Sequence, residues 1–164
     1  MLAIDGPSGS GKSTFADAVA GEIRVLNHTV ALVRTDEFAT WDDPVSWWPR
    51  LVEGVLTPLS EGREGRYRPM DWSSGVPVPG AELALPVPAI LLLEGVSAAR
   101  LSVRPRLSCV CWVEHGDAAA RLARAVARDG EASRRSLTEW QAFERGWFAA
   151  GQGRQTTDKY HVAS

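Results

Sequence analysis

Apolar residues occur along the chain in two patterns, as short continuous runs and as longer segments in which they recur every three or four positions. The continuous runs predict strands at Leu2 to Asp5, in the TVALVR run that ends near Arg34, and in AILLLEG, SCVCWVE and DKYHVAS. Helical spacing predicts helices from about Lys12 to Leu26, between Pro44 and Leu59, within HGDAAARLARAVARDG and from about Leu137 to Ala150. Because strands that alternate with helices are typical of α/β proteins, the sequence predicts three layers around a mostly parallel, five-stranded sheet.

The segment from Glu61 to Pro88 breaks this alternation. It is rich in glycine, proline and charged residues, and it predicts irregular structure with a small hairpin. A segment of this length exceeds what a simple connection needs, and long loops in compact domains often carry function. We therefore expect the loops over about residues 36–88 to take part in ligand binding.

The overall composition narrows the class of protein. A chain of 164 residues with 45% hydrophobic content fits a single domain over residues 1–164. The formal net charge of -2 gives no basic excess that would indicate nucleic acid as a partner. No apolar run is long enough to cross a membrane, and the N-terminus lacks the pattern of a signal peptide, so we expect a cytoplasmic protein. The oligomeric state stays open, a homo-oligomer included.

The segment GPSGSGKST, residues 6–14, carries the strongest functional signal in the chain. Gly6, Gly11, Lys12 and Ser13 fit the pattern G-x-x-x-x-G-K-[ST] between a predicted strand and a predicted helix. Glycines in this loop let backbone N–H groups converge on phosphate oxygens, and the helix N-terminus adds its positive dipole end. The sequence thus predicts a nucleotide site that consists of Gly6, Ser8, Gly9, Ser10, Gly11, Lys12, Ser13 and Thr14, with the Lys12 amine on the β- and γ-phosphates and the Ser13 hydroxyl on Mg²⁺.

Two acidic residues suggest what happens to the phosphate. A base-reading N-K-x-D segment, as in GTPases, is absent, and the chain is short for a motor ATPase, so a small kinase is the most natural hypothesis. Asp36 follows the second predicted strand at the edge that the phosphate-binding loop shares, and we interpret it as the base that takes the acceptor proton. Glu94 ends the run ILLLE at the same edge and is expected to hold Mg²⁺ directly or through water. The alternative for each is a carboxylate that caps a turn.

Arginines on the predicted helix after the fourth strand supply positive charge. Arg121, Arg124 and Arg128 stand three and four positions apart and share one face, although three solvated arginines would show the same spacing. Arg128 adjoins the polar stretch DGEASRR, which predicts a lid over about residues 128–137. Closure of a lid would bring Arg134 or Arg135 to the phosphates and exclude water, so that ATP is not hydrolysed instead.

Taken together, these residues resemble the uridine kinase-like family of P-loop nucleoside kinases, over about residues 4–162. The segments that carry the likeness are IDGPSGSGKST, TDEF, LLLEG and RLARAVARD. The resemblance implies ATP- and Mg²⁺-dependent phosphorylation of the 5′-hydroxyl of a nucleoside similar to uridine or cytidine. It also implies roles for Asp36 as the catalytic base, for Glu94 and Ser13 as magnesium contacts, and for Arg128 and Arg135 as lid cations.

The resemblance extends less closely to the acceptor region. WDDP is similar to the family's aromatic, acid and proline segment, which implies that Trp41 stacks on a base or sugar and that Asp42 accepts from ribose hydroxyls. PMDW is similar to a tyrosine, acid and aromatic segment, and it implies substrate contacts for Asp71 and Trp72. Three positions depart from the family's pattern: Met70 in place of tyrosine, Gly75 in place of a base-reading histidine, and Ala125 in place of an arginine, for which Arg124 is the substitute.

Two other functions stay open from the sequence. One is a P-loop kinase that acts on a nucleoside monophosphate or on a nonnucleotide metabolite alcohol, and Arg63, Arg66 and Arg68 are candidate ligands for an acceptor phosphate. The other is a nucleotide-binding sensor that transfers no phosphate. The joint presence of Asp36 and Glu94 argues against the sensor, because binding alone needs neither a base nor a complete metal site.

Overall fold

Four parallel strands form the main sheet of the computed structural model, which describes residues 1–151. The strands in chain order are β1 (Leu2–Asp5), β2 (Val30–Arg34), β3 (Gly65–Tyr67), β4 (Met70–Asp71), β5 (Val78–Pro79), β6 (Leu83–Leu85), β7 (Ile90–Glu94) and β8 (Cys109–Trp112). The main sheet has the order β2-β7-β1-β8, so β1 is hydrogen-bonded on both sides. The predicted parallel α/β sheet is confirmed for these strands, while the predicted fifth strand, DKYHVAS, lies outside the described residues.

The helices follow the predicted pattern with shifted ends. They are α1 (Lys12–Val25), α2 (Trp48–Leu51), a π-helical turn (Val52–Leu56), α3 (Thr57–Ser60), α4 (Ala118–Asp129) and α5 (Arg134–Ala149), with 3₁₀ turns at Thr35–Glu37, Arg104–Arg106 and Glu131–Ser133. The helix predicted from Pro44 begins only at Trp48, because the Asp43 carboxylate accepts the Ser46 N–H at 2.7 Å and fixes a turn there. Within residues 1–151, no helix has the length and apolar character needed to cross a membrane.

Alternate residues of the main strands face two different apolar clusters. Ala3 belongs to a cluster that contains Phe38 and Leu51, on the side of the sheet covered by α2 and α3. Ile4, the next residue, packs against Ala16 of α1 on the opposite side. Because successive strand residues point to opposite faces, helices on both sides give the predicted three layers. Parallel strands covered on both faces are typical of such folds.

Two short antiparallel ribbons occupy most of the segment predicted as irregular. One pairs β3 with β6, and the other pairs β4 with β5, and neither joins the main sheet. The β3 ribbon lies so close to the π-helical turn that a Cβ at Gly54 would stand 2.6 Å from the carbonyl oxygen of Arg66. This contact fixes the base of the ribbons against the helix that covers the sheet.

Candidate functional site

The carboxyl ends of β1, β2 and β7 open into a cavity of about 340 Å³. Parallel α/β sheets bind ligands at this edge, because the loops that follow neighbouring strands meet there. The predicted site residues that line the cavity are Ser8, Gly9, Gly11, Lys12, Ser13, Thr14, Asp36, Trp41, Trp72, Glu94, Arg124 and Arg128. The structure thus brings the nucleotide loop, the two acids and two of the predicted acceptor residues to one volume.

The P-loop, residues 6–13, depends on left-handed glycines. Gly9 has a φ of 72°, and a Cβ there would lie 2.3 Å from the carbonyl oxygen of Arg121, so α4 packs directly on the loop only because this residue is glycine. The Lys12 side chain is 7% exposed, and its amine donates to the Pro7 carbonyl at 2.9 Å. The ammonium group is therefore held across the loop that surrounds the predicted phosphate position.

Two predicted nucleotide-binding residues, Ser8 and Ser10, are not arranged as expected. The Ser8 N–H and hydroxyl both donate to the buried Glu144 carboxylate of α5, although Ser8 also lines the cavity. The Ser10 side chain is 3% exposed, and its hydroxyl has no hydrogen-bond partner within residues 1–151. Arg124 donates from Nε to the Gly9 carbonyl at 2.8 Å, so this predicted lid cation braces the loop in the present arrangement.

Ser13 and Glu94 lie together as the metal prediction requires. The Ser13 hydroxyl donates to Oε2 of Glu94 at 3.2 Å, and both residues line the cavity. Burial raises the pKa of the Glu94 carboxyl, which is 3% exposed. A hydroxyl and a carboxylate are the hard oxygen donors that suit Mg²⁺, which usually takes few protein ligands and completes its shell with water and phosphate. The two residues therefore fit a nucleotide-bound magnesium ion.

Sequence reasoning missed a cation beside this pair. Arg34, the last residue of β2, lies with Nε 3.4 Å from Oε2 of Glu94 and with Nη2 2.6 Å from the Asp17 carboxylate of α1. The guanidinium therefore restrains Glu94 on the side that faces α1. The run TVALVRTDEF placed Arg34 at the strand end, but only the pairing of β2 with β7 brings it next to Glu94.

Asp36 follows β2 in the 3₁₀ turn Thr35–Glu37, where its exposed side chain lines the cavity. The Trp72 indole N–H donates to the backbone carbonyl of Asp36 at 3.0 Å. This bond connects the predicted base to the β4–β5 ribbon, since Trp72 directly follows β4. The position of the Asp36 carboxylate is thus coupled to Trp72, one of the aromatic side chains on which an acceptor would rest.

Three tryptophans, Trp41, Trp72 and Trp140, form one wall of the cavity, which we call the acceptor wall. Trp41 and Trp72 meet edge to face with ring centres 4.9 Å apart, and Trp140 of α5 meets Trp41 in the same way at 6.0 Å. All three line the cavity, and the Trp41 indole N–H donates to the Gly75 carbonyl at 2.9 Å. The sequence did not single out Trp140, because helical spacing predicts a helix over this segment but not which of its side chains meets Trp41.

Five predicted site residues do not line the cavity: Gly6 and Ser10 of the P-loop, and Asp42, Asp71 and Arg135. Asp42 accepts from the Thr40 hydroxyl at 2.8 Å, and Asp71 accepts from the Ser73 N–H at 2.8 Å; both are exposed, and these bonds lower the pKa of each carboxyl. Arg135 is 90% exposed and pairs with Glu139 one turn further along α5. Their predicted contacts with substrate or phosphate would therefore need a rearrangement of the loops or of the lid.

The predicted lid is a tight turn between two helices. Helix α4 ends at Asp129, Gly130 has a φ of 89°, and after the turn Glu131–Ser133 the chain enters α5. Arg128 lines the cavity while its guanidinium pairs with the carboxylate of Asp129 at 2.7 Å. This hydrogen bond raises the pKa of Arg128, so the residue keeps its positive charge beside the cavity.

Asp5 is a fully buried carboxyl directly behind the P-loop. It accepts the Gly6 N–H at 2.7 Å and the Ala99 N–H at 2.9 Å, and so connects the P-loop to the turn that follows β7. Burial raises the pKa of Asp5 from 3.8 to about 7, although the two N–H bonds and the charge of Lys12 oppose the shift. The folded protein therefore keeps a proton here that the unfolded chain has already released.

Stability should fall with rising pH on account of Asp5. Between pH 4 and 7 the folded state binds the additional proton, so the free energy of unfolding decreases as the pH rises through about 7, by on the order of 4 kcal/mol at most. Urea unfolding of the wild type and of Asp5→Asn at pH 4 to 8 measures this, because the variant lacks the titration. A wild-type minus variant difference that is independent of pH would contradict the assignment.

Comparison with known proteins bears on the fold. No protein-family model and no curated protein matches the chain. A candidate fructose transport system kinase from a Silicibacter species is 19% identical, over 99% of this chain and 88% of its own, with a TM-score of 0.69. A candidate uridine kinase from Bacillus stearothermophilus is 19% identical over 88% of this chain and 84% of its own, with a TM-score of 0.59.

A third solved structure extends the likeness to another kind of acceptor. D-glycerate 3-kinase from Cryptococcus neoformans is 10% identical, over 98% of this chain and 85% of its own, with a TM-score of 0.59. All three proteins are described as kinases, one of uridine and one of D-glycerate, and the fold is common to all three. Together with the G-x-x-x-x-G-K-[ST] loop at the end of β1, these likenesses show that the chain has the fold of the P-loop kinases.

Proposed function

We propose that the protein is an ATP- and Mg²⁺-dependent kinase that phosphorylates a hydroxyl of a small, neutral, ring-bearing molecule, with a nucleoside similar to uridine or cytidine as the first candidate. The observation that carries this proposal is the single cavity that joins the P-loop, Asp36 and the acceptor wall. Phosphoryl transfer needs these parts within one site, because the acceptor oxygen must lie in line with the γ-phosphate.

Each part of the cavity has a role in the reaction. Bound Mg²⁺ would supply charge neutralisation between the phosphates, with Ser13 and Glu94 as its protein contacts. Lys12 and Arg128 would stabilise negative charge on the transferred group. Asp36 would accept the proton of the acceptor hydroxyl while the new P–O bond forms and the bond to the leaving ADP oxygen breaks. The products are the phosphorylated acceptor and ADP, and the proton is released from Asp36 to solvent.

The charges around the acceptor wall favour a neutral acceptor. Of the three arginines considered as ligands for a monophosphate, Arg63 pairs with Glu61 and Arg66 pairs with Glu64 and Glu82, while Arg68 is exposed. None of the three lines the cavity, and the arginines that do, Arg124 and Arg128, belong to α4 on the lid side. An acidic acceptor would be held more tightly by a cation at the wall, whereas indole rings suit a base or the C–H face of a sugar.

The test is the consumption of ATP in the presence of Mg²⁺ and one member at a time of a panel of neutral nucleosides, nucleoside monophosphates, sugars and hydroxy acids. We expect turnover with one or more neutral ring-bearing alcohols and a phosphorylated product of matching mass. Turnover with a monophosphate or a hydroxy acid alone would keep the kinase and discard the proposed acceptor class. Tight ATP binding without turnover on any member would favour the nucleotide-binding sensor.

A further inference from the structure

A buried carboxylate contacts the P-loop from the side of α5. Glu144 is 2% exposed, and its carboxylate accepts the Ser8 N–H at 3.0 and 3.2 Å as well as the Ser8 hydroxyl. A charged group removed from water destabilises a fold unless its hydrogen bonds are satisfied, and here the satisfying donors both belong to one P-loop residue. The contact joins positions 136 residues apart in the chain.

Gly9, the next residue of the P-loop, is held from α4 by a hydrogen bond of the opposite direction, in which the loop is the acceptor. Arg124 donates to the Gly9 carbonyl at 2.8 Å, while the backbone of Arg121 contacts the Gly9 Cα side. The Glu144 carboxylate thus accepts the Ser8 N–H, and the Arg124 guanidinium donates to the Gly9 C=O. Because the C=O and N–H of a trans peptide point in opposite directions, the bond to the Ser8 N–H also fixes the direction of the Pro7 C=O, and the bond to the Gly9 C=O fixes that of the Ser10 N–H. The helices on either side of the lid turn therefore set the orientation of two P-loop peptides, Pro7–Ser8 and Gly9–Ser10.

We propose that Glu144 is a positioning residue that holds the P-loop in its phosphate-binding geometry before nucleotide arrives. The inference rests on the proposed function for its effect on ATP. A preformed P-loop binds nucleotide more tightly, because the free energy of binding is not reduced by the cost of ordering the loop. An anion this close to the P-loop would otherwise oppose a phosphate, so its presence is explained by the orientation that it imposes.

Two variants separate the hydrogen bonds of Glu144 from its charge. Glu144→Gln and Glu144→Met both remove the negative charge and nearly conserve side-chain volume, but only glutamine can accept the Ser8 N–H and donate to its hydroxyl. Glu139→Met on the same helix is the matched control, because Glu139 is exposed and pairs with Arg135. The measurements are the Kd of Mg-ADP by calorimetry, and hydrogen exchange of the Ser8 amide without nucleotide, followed by NMR.

We expect Glu144→Met to raise the Kd of ADP by about 10- to 100-fold and to speed exchange of the Ser8 amide to a similar degree, since hydrogen bonds to a charged group are lost. Glu144→Gln should stay within a few-fold of the wild type in both measurements, and Glu139→Met should match it. A purely structural role would lower the melting temperature in Glu144→Met without the separate loss of ADP affinity in the folded protein.

Unchanged amide exchange in a folded Glu144→Met protein would overturn the inference, whatever its affinity for ADP. If that variant does not fold, Glu144→Asp shortens the side chain by one methylene and withdraws the carboxylate from Ser8, and an unchanged ADP Kd together with unchanged exchange of the Ser8 amide would overturn it instead. Absence of ADP binding by the wild type is a different result. It would refute the proposed function, while the exchange measurement would still decide whether Glu144 orders the loop.

Discussion

Replacement of Asp36 by asparagine is expected to lower kcat by about 10²- to 10⁴-fold, because the amide cannot take the proton of the acceptor hydroxyl. The side chain is exposed to the cavity, and the hydrogen bond from Trp72 goes to the backbone carbonyl, so the variant should keep the local fold. Affinity for Mg-ADP should stay within about threefold of the wild type, since a loss that affects only the transition state leaves ground-state binding unchanged. Steady-state kinetics with the acceptor found in the panel, together with calorimetry, measures both quantities.

Glu61→Gln provides the control for Asp36→Asn. Glu61 is exposed and pairs with Arg63 in the turn after α3, away from the cavity, and its loss should leave kcat unchanged. A kcat for Asp36→Asn within about fivefold of the wild type would be too high for the loss of a general base and would remove Asp36 from that role. A parallel loss of ADP affinity would instead mark Asp36 as a contact of the metal or nucleotide.

Gly9→Ala should destabilise the protein by about 2–4 kcal/mol, because the new methyl group meets backbone and the residue keeps a left-handed conformation. The added Cβ would lie 2.3 Å from the carbonyl oxygen of Arg121 and 2.9 Å from its carbonyl carbon. Relief requires α4 to move away, and that movement would break the bond from Arg124 to the Gly9 carbonyl. We therefore expect weaker ADP binding in addition to a lower free energy of unfolding by urea.

Gly62→Ala separates the effect of the steric clash at Gly9 from the effect of the left-handed backbone conformation. Gly62 has the same φ of 72° as Gly9, but nothing lies within 4 Å of its added Cβ. The Gly62→Ala variant should lose only the preference of glycine for the left-handed conformation, which lowers the free energy of unfolding by about 1 kcal/mol. It should bind ADP as the wild type does. Equal losses of stability in the two variants would show that α4 does not press on the P-loop.

The features predicted best from sequence are those encoded by contiguous residues. The glycines of the P-loop pattern permit its left-handed turns locally, and the strand that precedes the loop and the helix that follows it are found at the expected positions. Glu94 and Ser13 could be paired in advance because parallel strands end at one edge of the sheet. The resemblance to P-loop kinases, built on these same segments, is confirmed at the level of the fold.

Features that depend on contacts between distant segments could not be predicted in the same way. Glu144, Trp140 and Arg34 carry no local pattern that distinguishes them from other helix or strand-end residues. The register of the sheet brings Arg34 to Glu94, and the packing of α5 brings the other two to the P-loop and to Trp41. Asp42 and Asp71 were expected at the cavity, but hydrogen bonds to residues two positions away hold both at exposed positions.

The separation of the ribbons from the main sheet has a consequence for how such a protein changes its specificity. The P-loop and Asp36 follow strands of the main sheet and Glu94 ends one of them, whereas Trp72 follows a strand of the β4–β5 ribbon, which pairs with no strand of the main sheet. Exchange of this ribbon for one of another sequence would alter one part of the acceptor wall, and a new residue that kept the bond to the Asp36 carbonyl would leave Asp36 in its place. On the proposed function, the main sheet would carry the residues of phosphate transfer and the ribbon part of the acceptor wall, an arrangement suited to both divergence and redesign.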